Sequence, residues 1–346
     1  MDSITNAPLS RRAALGAGLA GAAALLAACG SSSSAGSGAS GPATAAGSAG
    51  DTAWKPVSVK HAFGTTTVEK QPTRIVTVGV TEQDFVLALG VKPVGVTDWY
   101  GDQPYAMWPW ARAANGDNKP KLLKTDDGFQ FTEIAKLQPD LIIGTNSGMT
   151  SEDYGKLSKL APTVPQASTK KGYFAPWYDM LATIGTSMGK SQEATALRSS
   201  IKAKFSTAAA DHPKFKGTKA IFLQNAVSDG SLIAYPEGLG TEFLADLGFE
   251  VPSDIDKYVR EGEQAYIPVE QIHVLNSAEV LIWATEKPSD LAALQKVPGF
   301  SNLDAVKSGR SVYTGGELSG AIYFSSPLSL PYVVDKLTPK LTKALA

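Results

Sequence analysis

The sequence predicts an α/β protein of two sandwich lobes with mainly parallel sheets, flanking one long helix. Short apolar runs alternate with helical segments in the first half of the chain, the stretch 176–211 carries no strand-like run, and strand-helix alternation then begins again. Alternation of this kind argues for parallel strands with helices packed on them.

The elements follow in order. Val57-Ser58-Val59 alternates, Phe63-Gly64 can turn and Thr65-Thr66-Thr67-Val68 is β-branched, which reads as an opening hairpin. Ile75-Val76-Thr77-Val78-Gly79 is a short strand. The helix after it, 81–90, starts on Thr81, carries acids in its first turn and stops at Gly90. Val94-Gly95-Val96-Thr97 is a second strand, 133–137 a short helix and Leu141-Ile142-Ile143-Gly144 a third strand. A long helix opens at Ser191-Gln192-Glu193, with apolar positions at Leu197, Ile201 and Phe205. Strands then recur at 219–224, 231–235, 280–283 and 311–313, with a helix over 241–246.

The N-terminus reads as an export address. Arg11-Arg12 precedes an Ala/Gly-rich apolar stretch over 13–28 that ends Leu25-Leu26-Ala27-Ala28-Cys29. A charged start, a short apolar region and small residues before the cut make a signal peptide. The stretch is too short and too Gly-broken to span a bilayer, which takes roughly 20 apolar residues. The run resembles a lipobox with Cys29 as the lipidated first residue, and Ser10-Arg11-Arg12 resembles a twin-arginine signal. Residues 30–50 are nearly all Gly, Ser, Ala, Thr and Pro, a composition that buries too little apolar area to order itself and serves as a tether. The expected organisation is a signal peptide over 1–28, lipidated Cys29 and linker over 29–52, an N-terminal lobe over 53–176, a connecting helical segment over 177–211 and a C-terminal lobe over 212–346.

Composition excludes several classes of function. The chain has 32 basic and 33 acidic residues, and loss of Asp2, Arg11 and Arg12 with the signal peptide leaves a formal charge of −2. No stretch concentrates Lys and Arg as nucleic-acid binding requires. Cys29 is the sole cysteine, so the fold rests on its core without disulfides. His61, His212 and His273 are far apart and lack the short spacings of a preformed metal site. No Gly-x-Ser-x-Gly elbow is present in the mature body, and no enzyme activity is expected. Gly185-Thr186-Ser187-Met188-Gly189-Lys190-Ser191 mimics a phosphate loop, but three residues separate its glycines where four are needed and no strand precedes it. It reads as the punctuation between two helices.

The candidate site is aromatic. Trp99-Tyr100-Gly101-Asp102-Gln103-Pro104-Tyr105-Ala106-Met107-Trp108-Pro109-Trp110 starts where the second strand ends. Ligands collect at the carboxyl ends of parallel strands, where rings offer broad apolar faces with polar tips. Any one of these rings can equally close the end of the sheet.

Taken together, Pro72-Thr73-Arg74-Ile75-Val76, Leu89-Gly90-Val91-Lys92-Pro93-Val94-Gly95, Glu133-Ile134-Ala135-Lys136-Leu137-Gln138-Pro139-Asp140 and Leu157-Ser158-Lys159-Leu160-Ala161-Pro162-Thr163-Val164 resemble the iron-siderophore solute-binding lipoproteins of ABC importers. The aromatic loop is most similar to those of actinobacterial, including mycobacterial, members. The resemblance implies Rossmann-like lobes joined by a rigid helix, a ligand cleft between them and a small hinge motion. It implies a monomer held at the outer face of the cell membrane by its lipid, with no resident cofactor. Glu133 and Glu242 match the acidic positions that engage permease arginines, although both also suit plain surface acids in first helical turns.

A siderophore fills the coordination sphere of iron with its own oxygens, so its receptor needs outer-sphere contacts only. Triscatecholate complexes are strongly anionic and call for converging Arg and Lys, whereas the strand-end loops bring Glu82, Asp98 and Asp102. A neutral or cationic complex, hydroxamate or mixed-ligand, is therefore favoured. The rings of Trp99, Tyr100, Trp108, Trp110 and Trp283 are expected to pack on it, with Thr81, Asn146, Gln224, Tyr235 and Arg260 hydrogen-bonding. Heme is the alternative ligand, with Tyr100 or Tyr235 supplying a phenolate. The rival class is an interaction lipoprotein with no small-molecule ligand.

Overall fold

The computed structural model describes residues 54–125, 128–169, 173, 175–260 and 264–346. The signal peptide, Cys29 and the linker lie outside the described residues. The hairpin forms as expected: β1 (Val57–His61) pairs antiparallel with β2 (Gly64–Val68), His61 opposite Gly64.

Strand and helix then alternate through β3 (Ile75–Thr77), α1 (Glu82–Ala88), β4 (Gly95–Thr97), α2 (Pro109–Asn115), β5 (Lys121–Leu123), α3 (Phe131–Lys136), β6 (Leu141–Gly144), α4 (Ser151–Leu157) and β7 (Thr163–Pro165). The sheet is wholly parallel in the order β5-β4-β3-β6-β7, so the winding reverses beside β3. The Asp140 carboxylate accepts the main-chain N–H groups of Thr73 and Arg74, each at 2.7 Å, and the Arg74 guanidinium donates to the Leu137 carbonyl at 2.8 Å. These bonds fasten the start of β3 to that of β6, which is what the Pro-Thr-Arg and Pro-Asp sequences do.

The connecting segment consists of α5 (Trp177–Ser187) and α6 (Ser191–Asp211). Between them Gly189 takes φ +68°, Lys190 N–H bonds the Gly185 carbonyl at 2.7 Å and Gly189 N–H bonds the Thr186 carbonyl at 3.0 Å. This is a Schellman stop. The apparent phosphate loop is the end of one helix and the start of the next.

The second half adds β8 (Ala220–Ser228), β9 (Ser231–Ala234), α7 (Glu242–Asp246), β10 (Ala265–Pro268), β11 (Val280–Ala284), α8 (Pro288–Leu294), α9 (Asp304–Lys307), β12 (Ser311–Tyr313), α10 (Gly316–Phe324) and α11 (Ser329–Ala344). Its sheet runs β10-β9-β8-β11-β12, with β8, β11 and β12 parallel and β9 and β10 antiparallel. The β8–β9 turn is Asp229-Gly230, both at positive φ as a tight hairpin demands.

Side chains alternate across each sheet. Ile75, Leu141 and Ile143 face inward with Phe222, Val280 and Ile282 of the second sheet, and this core continues through Met180 and Ile184 of α5, Ile201 and Phe205 of α6, and Leu330 and Leu337 of α11. The opposite faces carry separate clusters, Val76 and Ile142 in one lobe and Ile221, Leu281 and Trp283 in the other. Among the described residues no helix is long and apolar enough to cross a membrane.

Candidate functional site

The strand order of the first sheet reverses between β3 and β6, and that of the second between β8 and β11. A crevice opens at the carboxyl ends of strands at such a reversal. In the first lobe the loop after β6 is held by a buried acid. The Glu82 carboxylate accepts the main-chain N–H of Asn146 at 2.6 Å and that of Thr81 at 3.1 Å, and the Asn146 amide donates to the Thr81 hydroxyl at 3.2 Å. Burial raises the Glu82 pKa, opposed by these hydrogen bonds. A Cβ on Gly79 would run into this carboxylate, so a glycine must end the first strand.

The crevices of the two lobes meet in a cavity of about 250 Å³. Trp99 and Tyr100 from the end of β4 and Asn146 from the end of β6 form one wall. Phe222, Gln224, Tyr235, Glu242, Gln264 and Glu286 form the other, while Ala175, Trp177 and Met180 and the last turn of α10, Ile322 to Ser325, close the floor. The Gln224 amide donates to the Tyr235 hydroxyl at 3.0 Å. Glu286 is hydrogen-bonded with the Tyr100 hydroxyl, and burial raises its pKa. Burial likewise raises Tyr100 and Tyr235, with Glu286 adding to the effect on both. Each tyrosine is held as a phenol, a donor.

The aromatic loop is layered. Tyr100 stacks on Trp108 at 5.5 Å between ring centroids, and Trp108 stacks on Trp110 at 5.0 Å and 7°. The Trp110 indole N–H donates to Asp84 at 2.7 Å, and the Ser326 hydroxyl donates to the same oxygen at 2.5 Å. The column thus runs from the cavity wall to a buried carboxylate tied to the α10–α11 turn. Asp102, Tyr105 and Ala106 all take positive φ, so the loop holds a conformation that L-residues rarely adopt.

The comparisons with known proteins agree with this geometry. Residues 75–318 match the family described as periplasmic binding protein. The chain belongs to that family. It is 28% identical over 273 residues to a probable siderophore-binding lipoprotein of Bacillus subtilis, covering 74% of this chain and 79% of the relative. Its fold matches a periplasmic solute-binding protein of Mycobacterium smegmatis with TM-score 0.79 and 42% identity, covering 84% of this chain and 99% of the other. It also matches PiaA of Streptococcus pneumoniae in complex with ferrichrome, with TM-score 0.72 and 28% identity over 84% of this chain and 98% of the other. The Bacillus relative is named for siderophore binding, and the pneumococcal protein holds ferrichrome.

In this binding protein the expected contact residues separate into two groups. Trp99, Tyr100, Asn146, Gln224 and Tyr235 stand on the cavity wall. Five others do not. Thr81 is fully buried behind Asn146 and orients it. Trp108 is buried and buttresses Tyr100, while Trp110 is half-buried against Asp84. Arg260 is exposed and lays its guanidinium on the Tyr266 ring at 3.8 Å, where it keeps its hydration. Trp283 is 0% exposed and packs against Phe300 on the outer face of its sheet, because alternation sends it away from the side that Ile282 takes.

The expected acids are also elsewhere. Glu82 is internal, and Asp98, just before the aromatic loop, and Asp102, within it, line a separate pocket, so the wall owes its negative charge to Glu242 and Glu286. Glu133 lies at the start of α3 with Lys136 at 2.6 Å and Lys121 at 3.6 Å. Sequence reasoning missed Phe222, Gln264, Glu286, Tyr323 and Phe324. For Glu286 the signal was present, since it follows a strand as directly as Trp99 does.

Proposed function

We propose that this protein is the extracytoplasmic receptor of an ABC importer for a ferric siderophore of hydroxamate or mixed-ligand type, neutral or cationic. The carrying observation is the cavity itself: aromatic on most sides, with two carboxylates and, among the described residues, no Lys, Arg or His on its wall. A strongly anionic complex would meet repulsion there, whereas rings and amides suit a compact complex whose iron is already chelated. Ferrichrome, bound by the pneumococcal relative, belongs to the favoured chemistry. Heme is not favoured, because its anionic propionates would face the same carboxylates and both candidate tyrosines are pushed away from the phenolate form.

The lobes over 53–176 and 212–346 would clasp the complex, with Glu133 meeting a permease arginine, charge setting register more than affinity; Glu242, the second expected docking acid, lines the ligand cavity. Cys29 would carry the lipid after twin-arginine export, the receptor acting as a monomer at the outer face of the cell membrane. Replacing Cys29 with Ala should release the protein from the membrane fraction.

The test is a tryptophan-quenching titration of the mature protein with a ferric hydroxamate, a ferric triscatecholate and hemin. Saturable quenching by the hydroxamate alone is expected. Tighter binding of the triscatecholate or of hemin would overturn the ligand class, and no saturable quenching across the panel would favour the interaction lipoprotein.

A further inference from the structure

We infer that the cavity reads a positively charged arm on its ferric complex, an ammonium seated between the Glu286 carboxylate and the rings of Tyr100 and Tyr323. The inference rests on the ferric-siderophore reading above and narrows it to amine-bearing ferric hydroxamates. Three hydroxamates neutralise iron(III), so the charge of such a complex resides entirely in its appended arm.

Glu286 is placed, not merely present. Its main-chain N–H and that of Lys287 are both bound by the Asp290 carboxylate at 2.7 Å, which fixes the turn leaving β11. Its side chain lines the cavity and bonds to the Tyr100 hydroxyl. None of the ion pairs among the described residues involves Glu286, and Lys287, the adjacent cation, is exposed. Burial raises its affinity for a proton, and Tyr100 and the adjacent Lys287 offset this only in part.

The rings supply the second half of the receptor. Tyr100 and Tyr323 meet edge to face at 5.8 Å and 78°, forming a corner, and Tyr323 lies 6.4 Å from Tyr235 and 6.0 Å from Phe222. Aromatic faces around a desolvated ammonium attract it through their quadrupoles. A neutral ligand closing over the site would bury Glu286 with only a phenol for company. A ligand bringing its own ammonium completes the pair, and leaving one partner of such a pair buried alone is costly.

The experiment compares two iron(III) complexes of one linear trihydroxamate, with its terminal amine free or acetylated, by tryptophan quenching on wild type and on Glu286→Gln. Gln can still accept from Tyr100, so the pocket keeps its shape. Acetylation is expected to weaken wild-type binding by about tenfold or more. Glu286→Gln should abolish the discrimination, binding the free-amine complex more weakly than wild type does and the acetylated complex at least as well as wild type does. Equal wild-type affinity for the two complexes, or discrimination that survives Glu286→Gln, overturns the inference while the hydroxamate reading stands. Binding of neither complex overturns both.

Discussion

Asn146 is the smallest unit on which the site depends. It stands at the winding reversal of the first sheet, with Glu82 holding its main chain and Thr81 its amide. Asn146→Ala should weaken ligand binding by about tenfold, the worth of a hydrogen bond made in a desolvated cleft. Thr81→Val should act in the same direction but less, by removing the hydroxyl that accepts from the Asn146 amide. The quenching titration reads both, and an unchanged affinity for Asn146→Ala would remove it from the ligand set. Gly320 is the matching position behind the aromatic wall. A Cβ there would lie 2.8 Å from the Trp108 ring, so Gly320→Ala should cost about 1–3 kcal/mol through overpacking, lowering the calorimetric Tm. The strand-end rule made Trp99, Tyr100 and Asn146 legible in the sequence, because side chains just past a parallel strand reach the crevice whatever their neighbours, whereas Gln224 lies within β8 and Tyr235 follows the antiparallel β9. It misled at Trp283, which is still inside a strand buried on both faces, where alternation decides and composition carries no sign of which face is which.

At the scale of elements, Asp84 joins three of them, α1, the Trp110 end of α2 and the turn before α11. Burial raises its pKa to about 7 against the Ser326 and Trp110 hydrogen bonds, while an unfolded Asp titrates near 3.9. The folded state therefore holds this proton more tightly than the unfolded chain. The associated stabilisation is complete below about pH 4 and is lost as pH rises through about 7. Asp84→Asn, which cannot titrate, should flatten the decline of Tm between pH 4 and 7 relative to wild type. Parallel Tm curves for the two proteins would show that Asp84 does not titrate in that window. Elements of this size also explain what the sequence concealed. β5 and β7 are three residues each, too short to display a period. α10 buries residues on all its faces and so lacks an amphipathic stripe, which hid Tyr323 and Phe324 from a reading based on spacing. The hairpin was legible from its β-branched residues around Phe63-Gly64, α1 from Thr81, its glycine stop and its apolar spacing, and α6 from its apolar spacing.

Across the whole molecule, one apolar core passes from the first sheet through α5, α6 and α11 to the second. Opening the lobes widely would expose that core, at about 25 cal/mol for each Å² uncovered. Ligand capture should therefore change the radius of gyration by less than about 1 Å, the scale of preorganised complexes, as read by small-angle scattering with and without the ferric complex. A contraction of several ångströms would mean that the shared core separates. The two-lobe plan was evident from strand-helix alternation and the strandless middle. The continuity of the core was not, since it depends on α10 and α11, which pack back across elements distant in the chain.

That return of the C-terminal helices has a consequence for the order in which the receptor matures. Tyr323, Phe324 and Ser325 floor the cavity, and Ser326 reaches back 242 positions to Asp84. A nascent chain can assemble its first sheet while synthesis continues, but it gains competence for cargo only once α10 and the turn into α11 have left the ribosome. Truncation from the C-terminal end should abolish binding long before it erases secondary structure.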